Sequence, residues 1–497
     1  MRALQGVARN FSVVAGAQVI TWTATFLFTL AQARYLGPVR FGELSVALAY
    51  AALVAVVIDF GLSTKLARDV AQRPASAGHA LVATFALRVA LWCVAMPVVW
   101  ASTVILGYHA ELQTSILILA ASLLVGGFAT SLGAYFQGRE EFLFPSLGSI
   151  AQRGSVALLG VGALALGKGI VAVAVAYVLA NVLQVLVLIP GMRRYPVAST
   201  ALQKVTVLNM FRGAALLGCF WIFGTVYYNV DMMILQRLVP PENVAWYAAA
   251  YRLFNAAIMV VGFASGTVLY PVLSRLAIGS REGLRKAMAR SFTYLLGSGV
   301  FLMVTLLVAA DQVVALLFPT RQYGEAADAL RLLAPGLALM HTSGVFFLTL
   351  LGMGFERRLL VMAAVLAVLN PLANLLGIPL LQQNAAAIIT SATEAIVLVW
   401  VLVLTPKDLR GAASPAVALK VLAAAIPAAG CLWLLRDWSV VIAIPLAGIV
   451  YMLAGLAFGA VPADDRRAIR SFLRRRGAAV AAPPDATAVP APRTAEP

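Results

Sequence analysis

Apolar residues run along this chain in long unbroken blocks. They show neither the alternation of a strand nor the narrow stripe of a surface helix. A block of about 20 apolar residues crosses the hydrocarbon core of a bilayer as a helix. About fourteen such blocks can be marked. They cover residues 11–33, 41–62, 81–106, 112–136, 146–166, 170–190, 212–238, 244–270, 292–310, 327–353, 359–380, 385–404, 416–435 and 438–460. The connections between them are short, and none is long enough to fold as a domain outside the membrane. The pattern predicts an all-α integral membrane protein with about 14 spans.

The first block ends in Ala31-Gln32-Ala33, which mimics a signal-peptidase site. It is longer than a typical signal-peptide core of about 7–15 residues, so it reads as a retained first span. Basic residues set the orientation. With the N-terminus in the cytoplasm, Lys65, Arg68, Arg193, Arg194, Arg285, Lys286, Arg357 and Arg358 all fall on the inner side. Both termini are therefore expected in the cytoplasm. After the last span, Arg466, Arg467, Arg470, Arg474, Arg475 and Arg476 make a basic stretch suited to anionic headgroups. The Ala/Pro-rich end beyond Gly477 is expected to be disordered.

Composition agrees with lipid as the solvent. Of 497 residues, 62% are hydrophobic and 11% charged, against about 45–50% and 25% in soluble domains. The formal charge of +17 would point to nucleic acid in a soluble protein. Here it records topology and contact with anionic lipid. The three cysteines, Cys93, Cys219 and Cys431, lie in apolar spans and offer no disulfide framework.

One weak internal repeat is present. "ARYLGPVRFGELSVALAY" (33–50) resembles "QRLVPPENVAWYAAAY" (236–251) in character: an Arg at a span's outer end, a Pro turn, then a small-residue span. Both copies have the same orientation. Such repeats imply two lobes related by an axis along the membrane normal, with a substrate cavity between them. The expected organisation is an N-terminal lobe (1–200, spans 1–6), a C-terminal lobe (201–410, spans 7–12), two further helices (411–462) and a cytoplasmic tail (463–497).

Catalytic signals are missing. There is no G-x-x-x-x-G-K-[ST]. The three histidines, His79, His109 and His341, lack metal-ligand spacing. Covalent chemistry is therefore not expected of this chain, nor is a cofactor.

Ionisable residues inside spans are functional candidates by default. The basic ones are Arg88, Arg153, Arg212 and Arg252, with Arg34 at the outer end of span 1. A guanidinium fork suits a phosphate group. The alternative for Arg88, Arg153 and Arg212 is snorkelling to the inner headgroups. Span 1 also carries a polar stripe, Gln18, Trp22, Thr25, Thr29 and Gln32, on one helical face. It either packs through hydrogen bonds or lines a wet cavity.

The acids group differently. Asp231 has Tyr227 at i−4, Asn370 has Asn374 at i+4, and Thr390 has Glu394 at i+4. If the three spans converge, they offer oxygen ligands for a hard cation. A proton on Asp231 or Glu394 would serve equally well. Two blander readings stand beside this one: an Asp231–Arg252 ion pair, and plain hydrogen bonding between helices.

At this point the residues resemble a family. "ARYLGPVRFG" and "DFGLSTKLARDVA" in the first half, "NVDMMILQRL" followed by "VAWYAAAYRL", and "LRLLAPG" (330–336) are similar to segments of the Wzx-type polysaccharide-biosynthesis flippases of the MOP (multidrug/oligosaccharidyl-lipid/polysaccharide) exporter superfamily. The likeness runs over most of the chain. It implies fourteen helices, the last two peripheral, around a positively charged cavity. It implies translocation of a polyprenyl-pyrophosphate-linked oligosaccharide, for O-antigen or exopolysaccharide assembly, from the inner to the outer leaflet of the bacterial cytoplasmic membrane. On this resemblance Arg34, Arg88, Arg153 and Arg252, with Gln18 and Trp22, would hold pyrophosphate or sugar. Asp231, Asn374, Thr390 and Glu394 would carry the coupling ion, Na+ or H+. Membrane lipids and glycan polymerase or assembly proteins are the expected partners. A MATE-like drug antiporter, a peptidoglycan lipid-precursor flippase and an accessory scaffold are the competing readings.

Overall fold

The computed structural model describes residues 2–195, 201–462 and 465–467. Among these the chain is helical throughout, without strands. The first half comprises α1 (Arg2–Asp59), α2 (Leu62–Gln72), α3 (Ala77–Ile105), α4 (Ala110–Gly138), α5 (Leu143–Ala165) and α6 (Ile170–Arg194). The second begins with α7 (Lys204–Leu238) and α8 (Pro241–Ala264). A π-helical turn, Ser265–Leu269, leads to α9 (Tyr270–Gly279). Then follow α10 (Arg281–Val308), the short α11 (Ala310–Leu317) and α12 (Thr320–Tyr323), α13 (Ala326–Gly352) and α14 (Glu356–Leu404). The last elements are α15 (Lys407–Arg410), α16 (Pro415–Leu434) and α17 (Val440–Ala457).

Eleven helical stretches among the described residues are long and apolar enough to cross a membrane. The expected fourteen differ because some helices run through a bend and count once. α1 is two helices that meet at a kink at Gly37 (φ 70°, ψ 175°), just before Pro38, so spans 1 and 2 follow each other without a loop and count once. Pro38 lacks the N–H that would continue the ladder, and glycine tolerates the left-handed φ. α14 breaks in the same manner at Gln382 (φ 53°, ψ −133°). α8 lies outside the eleven.

Span 2 stops earlier than its expected end at residue 62. The chain turns at Phe60 and Gly61, with φ 41° and 73°. α2 is then a separate amphipathic helix that buries Leu62, Leu66 and Val70.

Packing is closest where residues are small, as expected where helices associate without a hydrophobic driving force. Ala245, Ala248, Ala249 and Ala250 of α8 are fully or almost fully buried in the largest core cluster. α1 packs on α3, α4 and α5, and also on α7 and α8. α13 lies against α8, α10 and α14. α16 and α17 pack on each other and on α10. Beyond α17, Asp465 returns to α10 and accepts hydrogen bonds from Arg290 and Tyr294. Arg470, Arg474, Arg475, Arg476 and the Ala/Pro-rich end lie outside the described residues.

Candidate functional site

Three helices of the second half bring their polar residues together. Asp231 of α7 and Glu394 of α14 are 2% and 1% exposed. The Asp231 carboxylate accepts the Tyr247 hydroxyl on Oδ2 and its neighbour Met232 N–H (2.8 Å) on Oδ1. Tyr247 in turn lies 3.4 Å from Thr390 Oγ1. Tyr228 donates to Glu394 Oε1 (3.1 Å), and Tyr251 donates to the Tyr228 carbonyl (3.0 Å). On α14, Asn370 donates to Thr393 (3.0 Å), and Asn374 donates to the Asn370 side chain (2.9 Å). Asn374 Oδ1 is buried and accepts no hydrogen bond among the described residues.

Neither acid has a basic partner among the described residues. The expected Asp231–Arg252 ion pair does not form, because Arg252 turns to α1. Tyr227 is likewise not the partner of Asp231; it packs on Tyr228, with ring centroids 4.1 Å apart. A carboxylate removed from water without a cation is costly. A proton or a bound cation relieves that cost. No group of three or more His, Cys, Asp or Glu suited to a metal occurs among the described residues. A cation here would rest on carboxylate, hydroxyl and amide oxygens, the donor set of a hard ion.

A second feature lies one residue further along α8. A cavity of about 610 Å³ opens between α1, α7 and α8, with Trp22, Thr25, Thr29, Asn229 and Arg252 in its wall. Arg252 donates to Thr29 Oγ1 (3.0 Å) and Ser45 Oγ (3.3 Å), and its guanidinium sits 4.9 Å from the centre of the Phe41 ring. The hydroxyls of Thr25 and Thr29 each donate to the carbonyl four residues back. Their oxygens thus remain free to accept, and only neutral groups face the cation. The guanidinium is a fixed positive charge in a low-dielectric wall, suited to an anionic group.

The other candidates are distributed differently. Gln18 of the polar stripe is not among the residues lining this cavity, and Gln32 is buried at 1% exposure. Arg88 does not snorkel: it is 2% exposed and donates to Asp59 (2.5 Å) and Ser63 (2.7 Å). It shares a separate pocket of about 360 Å³ with Arg153, Gln152 and Asn181. Arg34 is exposed near the α1 bend and lines neither space. The four arginines are therefore not one cluster.

Tyr228, Tyr247, Tyr251 and Asp59 were missed from sequence. Tyr247 and Tyr251 stand at i, i+4 on the small-residue face of α8, which reads as core packing. The Asp59-to-Ser63 spacing within "DFGLSTK" was the available sign of Asp59.

The polysaccharide biosynthesis protein family profile matches residues 7–277, and the MatE profile matches residues 217–376. An inward closed conformation of the lipid II flippase MurJ superimposes with TM-score 0.67 at 13% identity, over 90% of this chain and 98% of that one. An inward-facing multidrug resistance MATE transporter of the MOP superfamily gives 0.62 at 15%, over 77% and 95%. A MOP superfamily transporter from Pyrococcus furiosus gives 0.57 at 17%, over 80% and 95%. No curated protein matches the sequence. The structural likenesses establish the fold of these transporters for this chain.

Proposed function

Because the chain belongs to the polysaccharide biosynthesis protein family, within the MOP superfamily, we propose that it flips a polyprenyl-pyrophosphate-linked oligosaccharide from the inner to the outer leaflet of the bacterial cytoplasmic membrane. The two lobes, residues 1–200 and 201–410, alternate access around the space between them. Both termini lie in the cytoplasm, as the distribution of Lys and Arg favours. The observation that carries the reading is Arg252: a cation in the wall of an inter-helix cavity, held by hydroxyls and an aromatic face and, among the described residues, by no acid. A pyrophosphate is the complementary group. The chain works as a transporter, and no catalytic step is assigned to it.

Coupling is assigned to Asp231, Asn374, Thr390 and Glu394, with Na+ or H+ as the driving ion. α8 joins the two sites, since Tyr247 meets Asp231 while Tyr251 and Arg252 line the cavity. Occupancy at Asp231 changes the bond to Tyr247 and so biases the position of α8.

The test is the leaflet distribution of lipid-linked glycan in spheroplasts depleted of the protein, read with an impermeant sugar-modifying reagent. Accumulation of shielded inner-leaflet glycan is expected. An unchanged distribution overturns the proposal. The MatE match and the two buried acids favour a second reading, a cation-coupled drug antiporter. Export of toxic cations with normal glycan would favour it. A peptidoglycan lipid-precursor flippase differs in substrate alone: depletion would trap the peptidoglycan precursor instead.

A further inference from the structure

α7 and the second part of α1 pack together, and a different space lies on each flank of the pair. Asn229 and Met232 of α7 face the Arg252 cavity. Val230, Met233 and Arg237 face the other way, into a groove of about 560 Å³ shared with α1, α3 and Leu375 of α14. Its walls are apolar for almost their whole length, and Val98 on the rim is 64% exposed. Arg237 in the last turn of α7 supplies the charge, and no ion pair to it is found among the described residues. The groove is thus an oily trough, with the exposed Arg237 at its end.

Its lining, its length and the cation at its end point to the occupant. The α3 wall runs from Val94 to Leu106, about 18 Å at 1.5 Å per residue. That is close to half of a hydrocarbon core about 30 Å thick. An apolar trough of that length ending at a cation matches one extended hydrocarbon chain with an anionic headgroup. A polyprenyl chain far exceeds one leaflet's depth. We propose that this groove binds one acyl chain of a membrane phospholipid whose anionic headgroup lies on Arg237. The lipid fills the seam between α3 and α7 and stabilises the packing of α1 on α7. The inference is independent of the transported substrate.

The full-length protein, stripped of lipid in detergent, would be titrated with phosphatidylglycerol or phosphatidylcholine of equal chain length and read by native mass spectrometry. One tightly held phosphatidylglycerol is expected, preferred over phosphatidylcholine about fivefold to tenfold. Arg237→Gln should abolish the preference. Val98→Trp, at an exposed rim position, should weaken both lipids while leaving the folded protein intact. An unchanged preference in Arg237→Gln, or unchanged retention in Val98→Trp, overturns the proposal. Displacement of phosphatidylglycerol by equimolar undecaprenyl phosphate would assign the groove to the carrier instead. A dimer lost on Val98→Trp would assign it to a second copy. Either result overturns the phospholipid assignment.

Discussion

Gly218→Ala is expected to open the protein at the α1–α2 turn. A Cβ at Gly218 would stand 2.5 Å from the Phe60 carbonyl oxygen and 2.8 Å from its carbon. Real Cβ contacts essentially never fall under 3.0 Å, so α7 and the turn must separate by about half an ångström. The turn cannot yield easily. Gly61 has φ +73°, and its own Cβ position already meets Ala214 O and Gly218 N at 3.0 Å. Phe60 also stacks on Phe211, with centroids 5.1 Å apart and planes 13° from parallel. Overpacking of this kind costs about 1–3 kcal/mol. If the two elements part during transport, the cost falls only on the closed arrangement. The equilibrium then shifts about 5–150-fold towards the parted one. The half-buried thiol of Cys219 reports on this seam, with Cys93 and Cys431 replaced by serine. Its reaction with a maleimide should accelerate by a comparable factor. A thermal unfolding loss of the same size with unchanged labelling would refute the reasoning, because the contact would then be permanent packing.

The remaining expectations concern charge. Arg88→Ala should cost about 2–3 kcal/mol, less than the 3–5 of a fully buried pair, because Asp59 is 30% exposed. A double-mutant cycle with Asp59→Ala, read by thermal unfolding in detergent, should give a smaller loss for the pair than the sum of the singles. Arg252→Ala should weaken binding of lipid-linked glycan about tenfold or more, with Arg252→Lys between, since lysine keeps the charge and loses the planar fork. Asp231→Asn should abolish flipping at normal protein levels. Normal glycan export by that variant would remove the coupling role.

Most spans were legible because an apolar run of bilayer length has no other stable solution. The break at Gly37-Pro38 was legible for the same local reason that makes it: a residue free to adopt positive φ, then one without an N–H. The break at Gln382 has no glycine, but it falls in the connection expected between residues 380 and 385. Span 2 was overrun because Leu62 and Leu66 prolong the apolar pattern, although they belong to α2 and face the core. Among site residues, the i, i+4 pairs on α14 pointed to one face, and that face meets Asp231 through Tyr247. The Asp231–Arg252 pairing failed because sequence proximity of opposite charges does not specify a face. Arg252 stands one residue past Tyr251, about 100° round the helix. Tyr251 bonds the Tyr228 backbone on α7, and that step turns Arg252 instead to Thr29 and Ser45 on α1.

If Asp231 carries the coupling ion, as proposed, Tyr247 is the residue on which coupling turns. With Asp231 ionised, both carboxylate oxygens accept, one from Met232 and one from Tyr247. A proton or cation on Asp231 changes what Oδ2 presents. The Tyr247 hydroxyl must then redirect its hydrogen, and Thr390 Oγ1 at 3.4 Å is the acceptor in reach. On the proposed coupling role, occupancy would pass from α7 to α14 through a side chain rooted in α8, which also carries Arg252. Tyr247→Phe removes that exchange and keeps the ring. A hydrogen bond to a charged group is worth about 1.5–3 kcal/mol, so the ion or proton concentration giving half-maximal flipping should move by about 10–150-fold. Glycan binding in the absence of the ion should stay near wild type, because Arg252 keeps its partners. Flipping by reconstituted protein, measured across Na+ concentration and pH, separates the two. A Tyr247→Phe protein with wild-type ion dependence would leave Tyr247 as packing alone and place the link between the acids and the cavity elsewhere.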